Sequence, residues 1–432
     1  MDHLGLDLGT TTISAAVLDA DGRLLCTRTV PGGAAVAGQP WERKQDARGI
    51  EHAALSLLDG LLQEFPDIGC VGLTGQMHGI VYVDAAGQLL SPLYTWQDET
   101  GAQPGPDGKS TAARLTARTG YPLASGYGLV TLACHQAAGT IPDGAAAVCT
   151  IADYLAMQLS GRTAPRLTPS MAASLGLFDG TDFDRKAVRR AGLPEQLLPE
   201  VSEEAELGGG RLHVFAALGD NQASFLGAGQ GRLDAPLVNI GTGSQFSFFT
   251  KEHRTVPGLE TRPFPGGWLL TGAPLCGGRS FALLERFFRQ TAELVTGTPC
   301  PSAYPAMLRA LEAPMPDDVP QFRTTFAGTR QDPAERAVLS GLDEENFAPV
   351  PLLHALLRGM ADELSACYRA ALDAGCLPAR QLLGSGNGLR RNPALQRAVE
   401  RSFGLPLTLA AVPEEAACGA ALFARMGMQE AF

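Results

Sequence analysis

Two distant segments of the chain share one short pattern, and this repeat constrains the fold more than any other feature. Near the N-terminus, two apolar stretches flank the turn Gly9-Thr10-Thr11-Thr12. The segment 237–249 repeats this arrangement and reads LVNIGTGSQFSFF. In the overlay, Asn239-Ile240-Gly241-Thr242 falls where Asp7-Leu8-Gly9-Thr10 stands. The sequence therefore predicts a duplicated fold.

The elements predicted after each opening belong to an α/β fold. A third strand at 23–30, an amphipathic helix at 49–65 and a strand at 68–73 follow the first opening. Three antiparallel strands, a helix and a further strand, in this order, are typical of a ribonuclease-H-like half. The second half continues with elements predicted at 351–374, 381–383, 392–403, 406–409 and 414–426. We predict two such lobes with a central cleft: an N-terminal lobe, 1–229, and a C-terminal lobe, 230–432.

Composition excludes several classes of partner. The 432 residues include 45 acidic and 34 basic side chains, which gives a formal charge of −11. Nucleic acids and anionic membranes need a basic surface, so neither is expected as a partner. The N-terminus lacks the basic and apolar regions of a signal peptide, and the nine Cys form no C-x-x-C pair. We expect a cytoplasmic protein whose ligands are small molecules.

The two Gly-Thr turns are candidate phosphate sites. In the first, the backbone N–H groups of Gly9, Thr10 and Thr11 suit phosphate oxygens, and Asp7 beside them suits Mg²⁺. In the second, Gly241 and Thr242 permit close approach of a phosphate. The alternative for each turn is an ordinary hairpin connection. Recurrence in matching places favours a nucleotide bound between lobes.

A third glycine-rich segment follows a predicted strand in the second half. Gly384, Gly386 and Asn387 belong to the sequence G-S-G-N-G-L at 384–389, where the backbone can lie against adenosine. A dinucleotide-binding fingerprint is disfavoured because the final Gly or Ala of that motif is a Leu here. The other alternative is a turn that merely connects a strand to a helix.

Polar residues at predicted strand ends of the first half are candidates for catalysis and sugar binding. Asp220 follows an apolar strand and is a candidate base for a substrate hydroxyl, with a helix N-cap as the alternative. The segments T-G-Q-M-H-G at 74–79 and T-W-Q-D at 95–98 suit a polyhydroxylated ligand. For His78 the alternative is a buried core histidine, and for Trp96 a core anchor.

Together these segments resemble the FGGY carbohydrate kinases, a family within the actin-like ATPase superfamily. The resemblance covers nearly the whole chain in order, although 294–350 matches poorly. It is carried by R-K-Q-D at 43–46, G-Q-M-H-G at 75–79, T-W-Q-D at 95–98, A-D-Y at 152–154, L-G-D-N-Q-A-S at 218–224, V-N-I-G-T-G-S at 238–244, G-S-G-N-G-L-R-R-N at 384–392 and E-A-A-C-G-A-A-L at 415–422. Within the family, the sedoheptulokinase group is the most similar and the xylulokinases come next, since those more typically carry W-N-D where this chain has W-Q-D.

The resemblance implies ATP-dependent phosphorylation of a terminal hydroxyl of a ketose, with sedoheptulose favoured and xylulose or another sugar or polyol as alternatives. Asp220 would be the catalytic base and Asp7 would organise Mg²⁺. Thr10 and Thr242 would contact the phosphates, and 384–388 would lie under adenosine. Arg390 falls where glycerol kinases usually carry an Asn near the adenine. The sugar site would be lined by Gln76, Met77, His78, Trp96, Asp98 and Asn221.

A function of another class remains an alternative: an actin-like or heat-shock-type ATPase whose output is assembly or chaperoning. Such a protein would need filament surfaces or a separate client-binding domain, and two lobes already fill this chain. It would also leave the polar residues at 76–78 and 96–98 without a role. Oligomeric state stays open, with a homodimer as one alternative.

Overall fold

The computed structural model of the protein describes residues 1–208, 210–274, 277–329, 332 and 334–430. The chain forms two compact units. Unit 1 contains Met1–Gly231, Pro263–Pro265 and the segment that begins at Val412, and unit 2 contains Arg232–Arg262 and Gly266–Ala411. No helix in the described part of the chain combines the length and the apolar character that a bilayer crossing requires.

The chain up to Gly231 alternates strands and helices after an opening run of strands. Its strands are β1 (Asp2–Leu8), β2 (Thr12–Leu18), β3 (Leu24–Pro31), β4 (Ala35–Val36), β5 (Lys44–Gln45), β6 (Ile68–Gly75), β7 (Val81–Asp84), β8 (Leu93–Tyr94), β9 (Ala145–Cys149), β10 (Arg166–Leu167), β11 (Glu200–Val201), β12 (Glu206–Gly208), β13 (His213–Phe215) and β14 (Leu218–Gly219). Its helices are α1 (Ala47–Glu64), α2 (Thr111–Thr119), α3 (Gly128–Ala138), α4 (Ile151–Leu159), α5 (Pro169–Leu175), α6 (Arg185–Ala191) and α7 (Asp220–Ala228).

The main sheet of unit 1 has the predicted ribonuclease-H-like order. Its strands run β12-β13-β6-β1-β2-β3, and β14 also pairs with β6. β1 is antiparallel to β2 and parallel to β6. The predicted amphipathic helix is α1, whose buried side chains recur at three- and four-residue spacing; they are Ala47, Ile50, Ala54, Leu58 and Leu61.

The rest of the chain repeats this scheme in unit 2 and then returns to unit 1. The strands are β15 (Leu237–Ile240), β16 (Ser244–Thr250), β17 (Glu260–Phe264), β18 (Gly267–Gly272), β19 (Gln321–Arg323), β20 (Val338–Ser340), β21 (Leu382–Ser385) and β22 (Leu407–Leu409). The helices are α8 (Gly278–Thr296), α9 (Tyr304–Ala310), α10 (Pro349–Asp373), α11 (Asn387–Arg390), α12 (Pro393–Phe403) and α13 (Glu415–Glu430).

The sheet of unit 2 reproduces the centre of the sheet of unit 1. Its order is β17-β18-β16-β15-β21-β22. β15 is antiparallel to β16 and parallel to β21, as β1 is to β2 and β6. Asp7 pairs with Ser14 and Thr74, one residue before the end of its ladder, and Asn239 pairs with Gln245 and Ser385 at the corresponding position. The overlay of the two openings holds in this register.

The last helix belongs to unit 1, although the sequence places it in the C-terminal lobe. α13 packs against α7, β1 and β6, all of which lie in unit 1. Glycines make this close packing possible: a Cβ on Gly5 would lie 1.8 Å from the carbonyl oxygen of Ala417, and one on Gly72 would lie 1.9 Å from that of Ala420. The contacts join segments from the two ends of the chain, so local sequence patterns do not reveal them.

Candidate active site

The turn between β1 and β2 carries the first group of predicted site residues. Asp7 lies next to the end of β1, and Gly9-Thr10-Thr11 follows it. Two side chains hold the middle of this turn. Gln45 Nε2 donates to the carbonyl oxygen of Thr10 at 2.7 Å, and Trp96 Nε1 donates to Thr10 Oγ1 at 3.1 Å. The turn is therefore fixed through both its main chain and a side chain.

Parallel pairing brings Asp220 close to Asp7. Gly75, at the end of β6, pairs with Leu8 on one side and with Gly219 on the other. The carboxyl ends of parallel strands meet at one edge of a sheet, where ligands commonly bind in α/β folds. Asp220 is the first residue of α7 and Gly219 is the residue that caps it. The alternative that Asp220 is the N-cap of this helix is therefore wrong.

Carboxylates influence one another at this edge. Burial, together with the negative charges of Asp220 and Glu414, raises the pKa of Asp7 from 3.8 to about 7. Nearby like charges favour the protonated form, and a bound cation reverses that effect. Mg²⁺ takes one or two carboxylates together with phosphate oxygens and water, so the oxygen donors here fit it. Over the described ranges, no three His, Cys, Asp or Glu side chains form a group arranged for a metal ion.

Gln76 and Met77 continue from β6 into the same edge. Gln76 is buried, and its Nε2 donates to Gln45 Oε1 at 2.9 Å. Met77 is also buried, and a Cβ on Gly219 would lie 2.9 Å from its sulfur. Met77 thus packs against the residue that precedes Asp220.

His78 is held in an unusual backbone conformation. Its φ is +72°, in the left-handed region that non-glycine residues rarely adopt. Nδ1 lies 2.7 Å from the carbonyl oxygen of Ser174, and the imidazole stacks on Tyr127 with ring centroids 4.6 Å apart. The side chain is half-buried. Strain of this kind concentrates at ligand sites, which favours a functional role over that of a core histidine.

The segment 95–98 divides into an exposed and a buried part. Trp96 is 46% exposed, so the alternative of a core anchor is wrong. Asp98 is 2% exposed, and its two oxygens accept hydrogen bonds from the backbone N–H groups of Arg43 and Thr100, both at 2.9 Å. Asp98 therefore fixes two loops of unit 1 to each other. Asn221, the last predicted sugar residue, is buried in the first turn of α7 beside Asp220.

The corresponding turn of unit 2 is built from glycine and packs against a second glycine pair. The backbone N–H groups of Gly278 and Arg279 donate to the carbonyl oxygens of Gly241 and Thr242 at 2.9 and 3.0 Å. A Cβ on Gly277 would lie 2.2 Å from the carbonyl oxygen of Gly243. A Cβ on Gly241 would meet no atom of the described residues within 4 Å, so this residue borders open space among them. A phosphate can approach its backbone without steric conflict.

The segment 384–388 adjoins this turn but does not act as one unit. Gly386 has φ +88°, and a Cβ there would lie 2.5 Å from the carbonyl oxygen of Ile240, next to Gly241. Asn387 begins α11 and is exposed. Gly384 lies within β21, where a Cβ would meet Leu389, Leu407 and Leu409. The side of Gly384 that would carry a Cβ is therefore packed against core leucines.

The predicted residues thus form two groups, one in each unit. Sequence reasoning missed Gln45, which contacts Thr10 and Gln76, and Glu414, which influences Asp7. Gln45 lies within the R-K-Q-D segment that already contributed to the resemblance. Sequence reasoning also missed the pair Gly277-Gly278, whose only signal was two adjacent glycines before a helix.

The architecture is that of the two-domain actin-like ATPase fold. A solved xylulose kinase from Rhodospirillum rubrum superimposes with a TM-score of 0.81 at 22% identity, covering 99% of this chain and 90% of that one. The predicted α/β fold of two actin-like lobes is confirmed.

The family follows from two matches that span the chain. The N-terminal domain model of the FGGY family of carbohydrate kinases matches residues 3–230, and the C-terminal domain model matches 237–428. The protein belongs to this family, as its motifs predict. The sedoheptulokinase of Mus musculus is 29% identical over 97% of this chain and 96% of its own length. A xylulose kinase of Streptomyces coelicolor is 26% identical over 97% of this chain and 86% of its own length.

Proposed function

We propose that the protein is an ATP-dependent ketose kinase that phosphorylates a terminal hydroxyl of sedoheptulose. The similarity to sedoheptulokinase over nearly the full length of both chains supports the choice of sugar. The observation that carries the proposal is the position of Asp220, at the start of α7 and within electrostatic influence of Asp7. Xylulose is the second candidate, because xylulose kinases are also similar along the whole chain.

Asp220 accepts the proton of the attacking hydroxyl. Phosphoryl transfer needs little covalent help from the protein, and one carboxylate that orients the hydroxyl and takes its proton is sufficient. Asp220 lies at the N-terminus of a helix, where backbone N–H groups stabilise negative charge. Gln76, Met77, His78, Trp96 and Asn221 orient the sugar, while Asp98 acts on this site through the loops that it joins.

Asp7 is the residue that would hold Mg²⁺. The ion would neutralise charge that develops on the phosphoryl oxygens. Burial and the negative charges of Asp220 and Glu414 raise the pKa of Asp7, and a bound cation would reverse this effect, which supports a role as a cation ligand. Gly9, Thr10, Thr11, Gly241 and Thr242 bind phosphate oxygens through backbone N–H and hydroxyl groups.

Adenosine rests on unit 2 in this proposal. Gly386 and Asn387 lie directly after β21 and beside the Gly241 turn, so the base and the phosphates can occupy adjoining surfaces. Gly384 supports this surface from within the core. Arg390 ends α11, at the position where a change in base contacts is expected.

The test is ADP release with a panel of sedoheptulose, xylulose, ribulose, fructose and glycerol. We expect ATP turnover to depend on added ketose, with the highest kcat/KM for sedoheptulose. A higher kcat/KM for xylulose would make xylulose the preferred substrate and would leave the proposed kinase activity unchanged. ATP turnover that ignores every sugar would instead support an actin-like ATPase of another class.

A further inference from the structure

Gln45 connects two parts of the site. Its backbone is fixed in β5, which pairs with β4 on one side and β8 on the other, and the residue is 9% exposed. Its Nε2 donates to the carbonyl oxygens of Thr10 at 2.7 Å and Gly33 at 3.2 Å. Its Oε1 accepts from Gln76 Nε2 at 2.9 Å. One amide therefore joins the phosphate turn to the predicted sugar residues.

The two backbone carbonyls determine which way both amides point. A carbonyl oxygen only accepts hydrogen bonds, so the end of Gln45 that faces Thr10 and Gly33 must be the NH₂ group. The oxygen of Gln45 then faces Gln76, so the NH₂ group of Gln76 must donate to it. Gln76 Oε1 is left as a buried acceptor with no hydrogen-bond partner among the described residues. A ligand hydroxyl is a group that satisfies such an acceptor.

The hydrogen bond from Trp96 fixes the role of the Thr10 hydroxyl in the same way. The indole N–H of Trp96 can only donate, so Thr10 Oγ1 accepts in their 3.1 Å hydrogen bond. The hydrogen of the Thr10 hydroxyl remains available for donation to another group. An oxygen of a phosphate is an acceptor that suits it.

We propose that Gln45 is a positioning residue that fixes Gln76 as an acceptor for a sugar hydroxyl and holds the Thr10 turn for phosphate. The assignment of these two ligands rests on the proposed function. The positioning itself follows from the hydrogen bonds. Because Gln45 acts on both groups, its loss affects the use of ketose and of ATP together.

Two substitutions test this role. Gln45→Leu removes both donors and the acceptor, and we expect KM for ketose and for ATP to rise together by about 10- to 100-fold, as misplacement of site groups does. Gln45→Glu keeps the size, but its ionised form cannot donate to Thr10. Its protonated form can donate to one carbonyl and still accept from Gln76. We expect kcat/KM of this variant, relative to the parent, to rise about tenfold or more from pH 8 to pH 6.

Gln63→Glu is the matched control, because it makes the same change on the exposed face of α1. Its kcat/KM relative to the parent should not change with pH. A Gln45→Glu ratio that is equally flat, or a Gln45→Leu enzyme that loses only thermal stability, overturns the proposal. Binding of a non-hydrolysable ATP analogue with Mg²⁺ is measured in parallel. If the parent phosphorylates no ketose, the proposed function fails, and an analogue Kd equal to the parent's in both variants overturns the role of Gln45 separately.

Discussion

In each unit a short turn joins the first strand of the main sheet to its antiparallel neighbour, and the two turns have different surroundings. The unit 1 turn separates Leu8 from its partner Ile13, and the unit 2 turn separates Ile240 from Ser244, so the first is one residue longer. Asp7 precedes the first turn, and Asn239 stands at the equivalent position before the second.

The neighbours of the two turns extend this difference. Burial, together with the carboxylates of Asp220 and Glu414, raises the pKa of Asp7 to about 7. The unit 2 turn is instead bordered by Gly277, Gly278 and Gly386, which bring backbone close to it. The same scaffold thus provides ionisable oxygens in one unit and close-packed backbone in the other. Under the proposed function, this difference at equivalent positions separates proton and metal chemistry in unit 1 from nucleotide binding in unit 2.

The largest effect is expected at Asp220, the residue that has no counterpart in the glycine-rich turn. Asp220→Asn should lower kcat by about 10²- to 10⁴-fold, because the amide cannot accept the hydroxyl proton. ATP binding should be unchanged. The measurement is steady-state kinetics with sedoheptulose. Asp59→Asn, on the exposed face of α1, is the control and should leave kcat unaltered. Near-parent turnover of Asp220→Asn would remove the base from the proposal.

Exchanging the acid and the amide tests the comparison directly. Asp7→Asn should weaken the apparent affinity for Mg²⁺ in ATP turnover by about 10- to 100-fold, the usual cost of disturbing a metal site, and leave sugar binding unchanged. Asn239→Asp should instead raise KM for ATP about tenfold, because a new carboxylate repels the phosphates at close range. Titrations of Mg²⁺ and of ATP check both variants. Equal effects of the two exchanges would show that the turns are not specialised.

A smaller effect is expected where the glycine-rich turn depends on close packing. Gly386→Ala places a Cβ 2.5 Å from the carbonyl oxygen of Ile240, so the turn must shift and KM for ATP should rise severalfold. Overpacking of this kind costs about 1–3 kcal/mol of stability. Gly404→Ala is the matched control: its φ is also positive, at +66°, but its Cβ would meet no atom within 4 Å in the described part of the chain. Identical KM and melting temperatures in the two variants would mean that the contact is unimportant.

Local patterns in the sequence were sufficient to predict the two openings. Apolar strands flank each Gly-Thr turn, so the sheets and the positions of Asp7 and Gly241 follow from residues close together in the chain. The partners of Gln45 are Thr10, Gly33 and Gln76, which reach it through pairing of separate strands. No local pattern encodes such a network.

Tertiary packing explains the other differences between the predictions from sequence and the structure. Gly384 belongs to a sequence that suits ligand binding, yet the leucines around β21 place it in the core. Trp96 has a large apolar side chain, as residues that anchor a core do, yet it is exposed and its indole N–H donates to Thr10. The last helix joins unit 1 through glycine contacts between the two ends of the chain. Each depends on tertiary neighbours that a single sequence does not identify.

The last prediction separates burial from charge repulsion as the source of a raised pKa. Asp153, near the start of α4, also has a pKa raised to about 7, by burial and without a neighbouring carboxylate among its causes. Its Oδ2 accepts from Thr150 Oγ1 at 2.7 Å, whereas its Oδ1 is buried and has no hydrogen-bond partner among the described residues. The pKa of Asp153 is therefore raised by burial without a neighbouring carboxylate, and it can be compared with the pKa of Asp7, which is raised by both.

Between pH 4 and pH 7 the folded protein keeps Asp153 protonated while the unfolded chain, with a pKa near 3.8, ionises it. The contribution of Asp153 to the free energy of unfolding is thus fully present below pH 4 and is lost as pH rises through 7, with a limiting slope of about 1.4 kcal/mol per pH unit. Asp153→Asn should remove this slope in urea titrations across the range. His3, whose pKa is lowered to about 4, adds an opposite slope that cancels when variant and parent are compared. Asp7→Asn should remove a further slope and, unlike Asp153→Asn, also weaken Mg²⁺ use. If Asp153→Asn leaves the slope unchanged, burial alone does not raise a carboxyl pKa in this fold. The raised pKa of Asp7 would then depend on the charges of Asp220 and Glu414.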